Sequence, residues 1–114
     1  MRDKLNSTQC SQYLKALADP DRLKIVQCLQ AGPLSVGDIC RQLGAPLANV
    51  SHHLKQLRIA GLVQGQKKGR FVVYSLAEQV AKKPSESPQS VLEFGCCRIE
   101  LGEQTPIAPA TRRR

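Results

Sequence analysis

Residues 35–76 constrain the fold most, because within this stretch the spacing of apolar residues changes from helical to alternating. One short helical stripe ends at Gly44 and a second ends at Gly61. Two helices joined by a tight glycine-containing turn are typical of a helix-turn-helix. After Gly61 apolar and polar residues alternate, as in a strand whose successive side chains point to opposite faces. We therefore predict a helix-turn-helix at about 35–61 and a β-hairpin wing at about 62–76.

Capping residues mark where the helices begin. Asp19 followed by Pro20 is typical of an N-cap with proline in the first turn. Ser35, with Asp38 three residues later, has the spacing of a capping box. Ser7 and its neighbours offer an N-cap for a further helix of about ten residues near the start of the chain. The prediction is therefore four helices before the hairpin.

The predicted hairpin has strand-forming residues on both sides of a basic tip. Residues 62–66 alternate, and residues 71–76 are rich in β-branched and aromatic side chains. The tip between them consists of Lys67, Lys68, Gly69 and Arg70. The predicted fold class is thus α+β and mainly α, a winged helix-turn-helix of four helices plus a β-hairpin wing.

Positive charge is concentrated in the same part of the chain. Lys and Arg number 17 against nine Asp and Glu, which gives a net charge of +8. No acid occurs between Asp38 and Glu78, so the basic residues of the helix-turn-helix and of the tip have no compensating carboxylate. A basic strip in this position predicts a polyanionic partner, double-stranded DNA.

Chain length and hydropathy limit the other classes. A chain of 114 residues is enough for one domain. No apolar run approaches the roughly 18 residues needed to cross a bilayer, and the N-terminus lacks the apolar segment of a secretory signal. We expect a cytoplasmic protein with no membrane partner, whose five cysteines are mostly thiols.

Three segments follow the DNA-binding domain, which we predict at 1–77. Residues 78–90 are polar and rich in proline and serine, which is typical of a linker. Residues 91–103 carry alternating apolar side chains on both sides of Gly95, and we predict a short strand-like extension with a bulge. Residues 104–114 end in a run of arginine and are expected to be a disordered basic tail.

The chain resembles the ArsR/SmtB family of winged-helix repressors. The residues that carry the resemblance are 17–26, 34–39, 50–63 (Val-Ser-His-His-Leu-Lys-Gln-Leu-Arg-Ile-Ala-Gly-Leu-Val) and 69–76. The resemblance implies a homodimer that binds an operator and leaves it when an effector binds. It also implies that the first helix contributes to the dimer interface. The candidates on the apolar stripe of that helix are Tyr13, Leu14 and Leu17.

The metal sites of the family do not transfer to this chain. The resemblance places the cysteine ligands of the family's third-helix site at Ser35 and Gly37, which cannot replace thiolates. A second family site needs His and carboxylates after the wing. The histidines of this chain are His52 and His53, both before the wing. The effector therefore stays unassigned.

The second helix of the helix-turn-helix is expected to enter the major groove, where base edges carry a distinct donor and acceptor pattern. Asn49 and His52 are candidates for base contacts, whereas Ser51 suits phosphate. His53 lies beside the buried stripe and is expected to be packed and hydrogen-bonded. The full predicted DNA-binding set is Asn49, Ser51, His52, Lys55, Gln56, Arg58, Lys67, Lys68 and Arg70.

The cysteines leave three alternatives open. Cys96 and Cys97 are either two small residues of a short strand, or ligands of a soft metal or metalloid ion, or a redox switch. Cys10 on the first helix is a candidate third ligand. Cys28 and Cys40 lie on helical stripes and are expected to pack in the core. No other cofactor is predicted.

Two other functions compete with a sequence-specific repressor. A non-specific nucleic-acid-binding or architectural protein would need only the basic strip, because phosphate contacts carry no sequence information. A thiol enzyme would use Cys96 or Cys97, but a catalytic thiol usually needs a nearby base, and both histidines belong to the helix-turn-helix. We therefore expect a protein that is not an enzyme.

Overall fold

The computed structural model describes residues 7–78, 80, 91–94 and 97–100. The helices are α1 (Ser7–Leu17), α2 (Pro20–Leu29), α3 (Val36–Leu43) and α4 (Leu47–Ala60). The strands are β1 (Leu34–Ser35), β2 (Val63–Lys68), β3 (Phe71–Leu76), β4 (Val91–Glu93) and β5 (Arg98–Glu100). The predicted four helices and the hairpin wing are thus present, and the winged helix-turn-helix fold is confirmed.

The helix boundaries follow from the predicted caps. The side chain of Asp19 accepts hydrogen bonds from the backbone N–H groups of Asp21 and Arg22 at the start of α2. The hydroxyl of Ser35 accepts from the backbone N–H of Asp38, 3.1 Å away, at the start of α3. Gly44 ends α3 with φ of 65°, a left-handed conformation that glycine adopts without steric cost.

The wing is part of a three-stranded antiparallel sheet with the order β1-β3-β2. The sequence predicted the two longer strands but not β1. Leu34 pairs with Tyr74 and Ser35 pairs with Val73, so the chain just before α3 is hydrogen-bonded to the wing. The strand β2 also extends two residues further than predicted, to Lys68, and the predicted tip shortens to a two-residue turn.

One hydrophobic core holds the helices and the sheet together. The helix α4 contributes Val50, Leu54 and Leu57, which share one face because they are three or four residues apart. They pack in one cluster with Ile25 of α2 and Ile39 of α3. The opposite face of α4 is exposed to solvent and is therefore accessible to other molecules.

The C-terminal extension differs from the predicted single strand. It is a hairpin of β4 and β5 in which Leu92 pairs with Ile99, and the backbone N–H of Phe94 donates to the carbonyl of Cys97 at 2.9 Å. Leu92 and Phe94 both reach the core, where each is almost fully buried. Through these two residues the extension packs against the core of the helices and the sheet.

Several predictions on the C-terminal part of the chain fall outside the described residues. They concern the linker at 78–90 apart from its described positions Glu78 and Val80, the bulge at Gly95, Cys96 and the tail at 104–114. Within the described part of the chain, no helix has the length and hydropathy that a membrane span requires.

Candidate nucleic-acid interface

The helix α4 presents a polar face on the side opposite its buried residues. The buried positions are Val50, Leu54 and Leu57. Because an α-helix has 3.6 residues per turn, His52 and Lys55 lie on the opposite, outer side. Both are exposed. An α-helix with one polar, partly basic face fits the width of the major groove.

The predicted DNA-binding residues all lie on the surface of the described chain. Eight are exposed and Gln56 is half-buried. The exposed residues are Asn49, Ser51, His52, Lys55 and Arg58 on α4, with Lys67, Lys68 and Arg70 on the wing. The structure therefore leaves every one of these side chains accessible to a partner.

Two apolar residues at the start of α4 are exposed, which the sequence analysis did not predict. Leu47 is 61% exposed, and Ala48 beside it is also exposed. The N-terminal part of a recognition helix contacts base edges, and apolar side chains there contact the thymine methyl group. Leu47 lies three residues before the buried Val50, so the helical spacing favours burial and gave no indication of its exposure.

The wing tip is narrow and basic. Lys68 pairs with Phe71 across the hairpin, and Gly69 in the turn between them has φ of 63°, which favours glycine. Phe71 is 64% exposed, so an aromatic ring lies among the cations of the tip. A tip of this shape suits the sugar-phosphate backbone or the minor groove.

The acid that immediately precedes the basic stretch has a cationic partner. Asp38, the last acid before the basic stretch, pairs with Arg41 on α3. Hydrogen bonds from Ser35 and Arg41, with the charge of Arg41, hold the pKa of Asp38 below its usual value although partial burial opposes this. Asp38 is therefore an ionised partner of Arg41 on the same helix.

His53 is packed against α2, as expected, and does not face the groove. Its side chain is 14% exposed. Its Nδ1 lies 3.4 Å from Nη1 of Arg22, and its Nε2 lies 3.7 Å from a carboxylate oxygen of Asp21 and 4.0 Å from one of Asp19. Among the described residues, these two carboxylates and His53 are the group whose ligand atoms come close enough to hold a metal ion.

Of the four described cysteines, one is disulfide-bonded and three are thiols. Cys10 on α1 is disulfide-bonded, whereas Cys28, Cys40 and Cys97 are thiols. Burial, with the nearby charge of Glu93, raises the pKa of Cys97. A raised pKa keeps the thiol protonated and lowers its reactivity toward metals and electrophiles.

The three predicted dimer residues have different surroundings within one protomer. Tyr13 and Leu17 are buried in the protomer's own core, while Leu14 is 47% exposed. Leu14 is therefore the residue of this set that a second copy can still cover.

Comparison with known proteins gives a consistent assignment. The family model described as "Bacterial regulatory protein, arsR family" matches residues 19–64. The HTH-type transcriptional regulator NmtR of Mycobacterium tuberculosis is 45% identical over 74 residues, 65% of this chain and 62% of NmtR. The transcriptional repressor SdpR of Bacillus subtilis is 39% identical over 66 residues, 58% of this chain and 73% of SdpR.

A solved structure supports the same assignment. It is described as the homodimeric winged helix-turn-helix DNA-binding domain of Mb0332 from Mycobacterium bovis, and it matches with a TM-score of 0.63 and 29% identity, over 75% of this chain and 82% of that chain. The chain spans about three fifths of NmtR and nearly three quarters of SdpR. The coverage of SdpR at this identity, together with the winged fold and the family model, confirms the resemblance: this chain belongs to the arsR family of bacterial regulatory proteins.

Proposed function

We propose that the protein is a homodimeric transcriptional repressor that binds one operator in double-stranded DNA in the cytoplasm. The observation that carries the proposal is the exposed basic side chains of α4 and the wing, which are Lys55, Arg58, Lys67, Lys68 and Arg70. SdpR is named as a transcriptional repressor and Mb0332 as a homodimeric DNA-binding domain, which supports both the activity and the assembly.

Within this surface, different residues have different tasks. Asn49 and His52 on α4 offer donors and acceptors to base edges, and Leu47 offers an apolar contact to a thymine methyl group. Ser51, Lys55, Gln56 and Arg58 flank these residues and suit phosphates, as do Lys67, Lys68 and Arg70 on the wing. Base contacts select the operator, and phosphate contacts supply most of the affinity.

Fluorescence anisotropy tests the proposal directly. A labelled DNA fragment from upstream of the protein's own gene is titrated with reduced protein at fixed salt, first alone and then with excess random DNA. We expect one fragment to resist the competitor and its footprint to contain two half-sites about one helical turn apart, or a multiple of it. Equal competition by random DNA would instead establish the non-specific architectural function, which needs only phosphate contacts.

For the effector, we propose a redox response that involves Cys10 together with the pair Cys96 and Cys97. The disulfide at Cys10 supports redox over soft-metal binding, because a sulfur atom in a disulfide offers no thiolate to a metal. With hydrogen peroxide as oxidant, two thiols would give one disulfide and two waters. The sulfur atoms lose two electrons, and their protons end in the water formed.

Cysteine variants separate the effector alternatives. Peroxide should release the wild-type protein from its operator and should fail to release Cys10→Ser and the double variant Cys96→Ser/Cys97→Ser. Cys28→Ser is the matched control, since Cys28 is a half-buried thiol on α2. Release by Zn(II), Cd(II), Cu(I) or As(III), and not by peroxide, would replace the redox proposal with a soft-metal site.

The thiol-enzyme alternative has less support. A catalytic thiol usually needs a nearby base, and both histidines lie on α4, while NmtR and SdpR are named as regulators. A turnover assay for thiol-disulfide exchange tests it.

A further inference from the structure

Arg22 contacts three helices at once. Its own helix is α2. Its Nε donates a hydrogen bond to the carbonyl oxygen of Ala16 in the last turn of α1, 2.6 Å away, and its Nη1 lies 3.4 Å from Nδ1 of His53 on α4. The last carbonyls of a helix have no partner within it, so the guanidinium satisfies an oxygen that α1 itself cannot. One side chain thereby connects the predicted dimer helix to the recognition helix.

The contacts determine the tautomer of His53. A guanidinium only donates hydrogen bonds, so the Nδ1 atom that faces Arg22 must accept and carries no proton when the ring is neutral. The proton of the neutral ring is then on Nε2, which faces the carboxylates of Asp19 and Asp21. Those oxygens lie 3.7 and 4.0 Å from Nε2, beyond hydrogen-bond distance, but their negative charge favours a proton on the nitrogen that faces them.

The same contacts argue against a metal ion at Asp19, Asp21 and His53. A histidine ligand binds a metal through a nitrogen lone pair, and here the Nε2 atom nearest the carboxylates carries the proton. Metal binding at Nε2 would move that proton to Nδ1, where it would point at the donor Arg22. The oxygen of Asp19 that lies near His53 also caps α2 by accepting from two backbone N–H groups.

We propose that Arg22 is a positioning residue for DNA recognition, which fixes α4 relative to α1 through His53. The proposal rests on the function given above. In a dimer joined through α1, the two copies of α4 must reach successive turns of the major groove, about 34 Å apart. A small rotation of α4 about its end in one protomer shifts base contacts out of register, whereas phosphate contacts by flexible side chains tolerate it.

Substitution of His53 distinguishes the two sides of its ring. His53→Asn keeps an acceptor near the position of Nδ1, His53→Gln keeps a donor near the position of Nε2, and His53→Leu keeps neither. Because the proposal depends on the contact with Arg22, His53→Asn should retain operator affinity within about threefold. His53→Gln and His53→Leu should lose operator affinity by about tenfold. Arg22→Gln should lose about tenfold as well.

Three further measurements separate positioning from a general loss of structure. The affinity of each variant for random DNA, its dimer dissociation constant and its cooperative melting should stay close to wild type.

A fourth measurement tests the tautomer. A long-range proton–nitrogen spectrum of the neutral ring should show the proton of His53 on Nε2 in the wild type and a mixture of tautomers in Arg22→Gln.

The outcomes identify which idea fails. If wild type shows no preference for an operator, both the repressor function and this proposal are overturned. If wild type discriminates but Arg22→Gln binds like it, only the role of Arg22 is overturned. The role of Arg22 is also overturned if His53→Asn and His53→Leu have the same operator affinity. It is overturned as well if a variant loses operator affinity and random-DNA affinity to the same extent, or if the wild-type ring carries its proton on Nδ1.

Discussion

The rings of Tyr13 in α1 and Phe94 in the C-terminal hairpin pack against each other with centroids 5.5 Å apart and planes inclined by 50°. Tilted aromatic pairs at this separation are favourable. Both side chains are nearly inaccessible to water. The pair therefore makes the hairpin part of the core at the helix that we propose for the dimer interface.

Phe94→Ala should lower the free energy of unfolding by about 3 kcal/mol or more, because it leaves a cavity and removes the partner ring. Urea denaturation followed by circular dichroism measures the change. Phe71→Ala is the matched control, since the same atoms are removed from an exposed site, and its effect on stability should be within about 0.5 kcal/mol. Equal effects of the two substitutions would show that the hairpin does not stabilise the domain.

Lys67→Ala should weaken binding to all DNA sequences alike, because its exposed side chain on β2 suits phosphate. The slope of log affinity against log salt should decrease by about 1. Lys24→Ala, at an exposed position on α2 away from the wing, should leave the slope unchanged. A change in operator preference with Lys67→Ala would assign this lysine to base recognition instead.

Replacement of thymine by uracil within a half-site should identify the base that Leu47 contacts, because uracil lacks the methyl group. At one position we expect a loss of about fourfold, the value of one buried methyl group. Leu47→Ala should bind thymine and uracil DNA equally at that position. A wild-type protein that is indifferent to uracil at every position would rule out a methyl contact.

Asp19→Asn should reduce stability at neutral pH and not at low pH. Burial acts to raise the pKa of Asp19, but hydrogen bonds from the backbone of Arg22 and Asp21 and the nearby positive charge hold it below the model-compound value of 3.8. A carboxyl group with a lowered pKa stabilises the fold above its unfolded-state pKa, and that contribution is lost as the pH falls through the folded value. Asparagine keeps the N-cap without the charge.

Unfolding by urea at a series of pH values checks this prediction. The curves of wild type and Asp19→Asn should differ above pH 3.8 and converge below it. Curves that run parallel over the whole range would mean that the charge of Asp19 contributes nothing and that the cap alone matters.

The local features of the fold could be predicted from the sequence, since caps and left-handed turns depend on neighbouring residues. Asp19, Ser35 and Gly44 each mark a helix boundary as expected. The pairing of β1 with β3 could not be predicted, because two residues carry no periodic signal and their partners lie about forty positions away. The pairing of β4 with β5 could not be predicted either, because alternating apolar residues on both sides of Gly95 fit one strand as well as two.

For the candidate site, the exposure of the polar side chains could be predicted from the sequence, but the side-chain contacts between helices could not. The polar residues Asn49, His52 and Lys55 lie on the surface because they fall outside the apolar stripe of α4. The contact of Arg22 with His53 joins residues 31 positions apart, and a single arginine on α2 gives no indication of its partner. Leu47 was passed over since an apolar residue at a helix start is usually assigned to packing.

Strand β1 makes the wing and the helix-turn-helix mechanically continuous. Ser35 is both a strand residue paired with Val73 of β3 and the N-cap of α3, so the hairpin cannot tilt without pulling on the first turn of that helix. Each protomer should then bind DNA as one rigid body, in which α4 and the wing strands move little relative to each other. The oxidation that we propose would then release DNA by changing the spacing and angle between the two protomers.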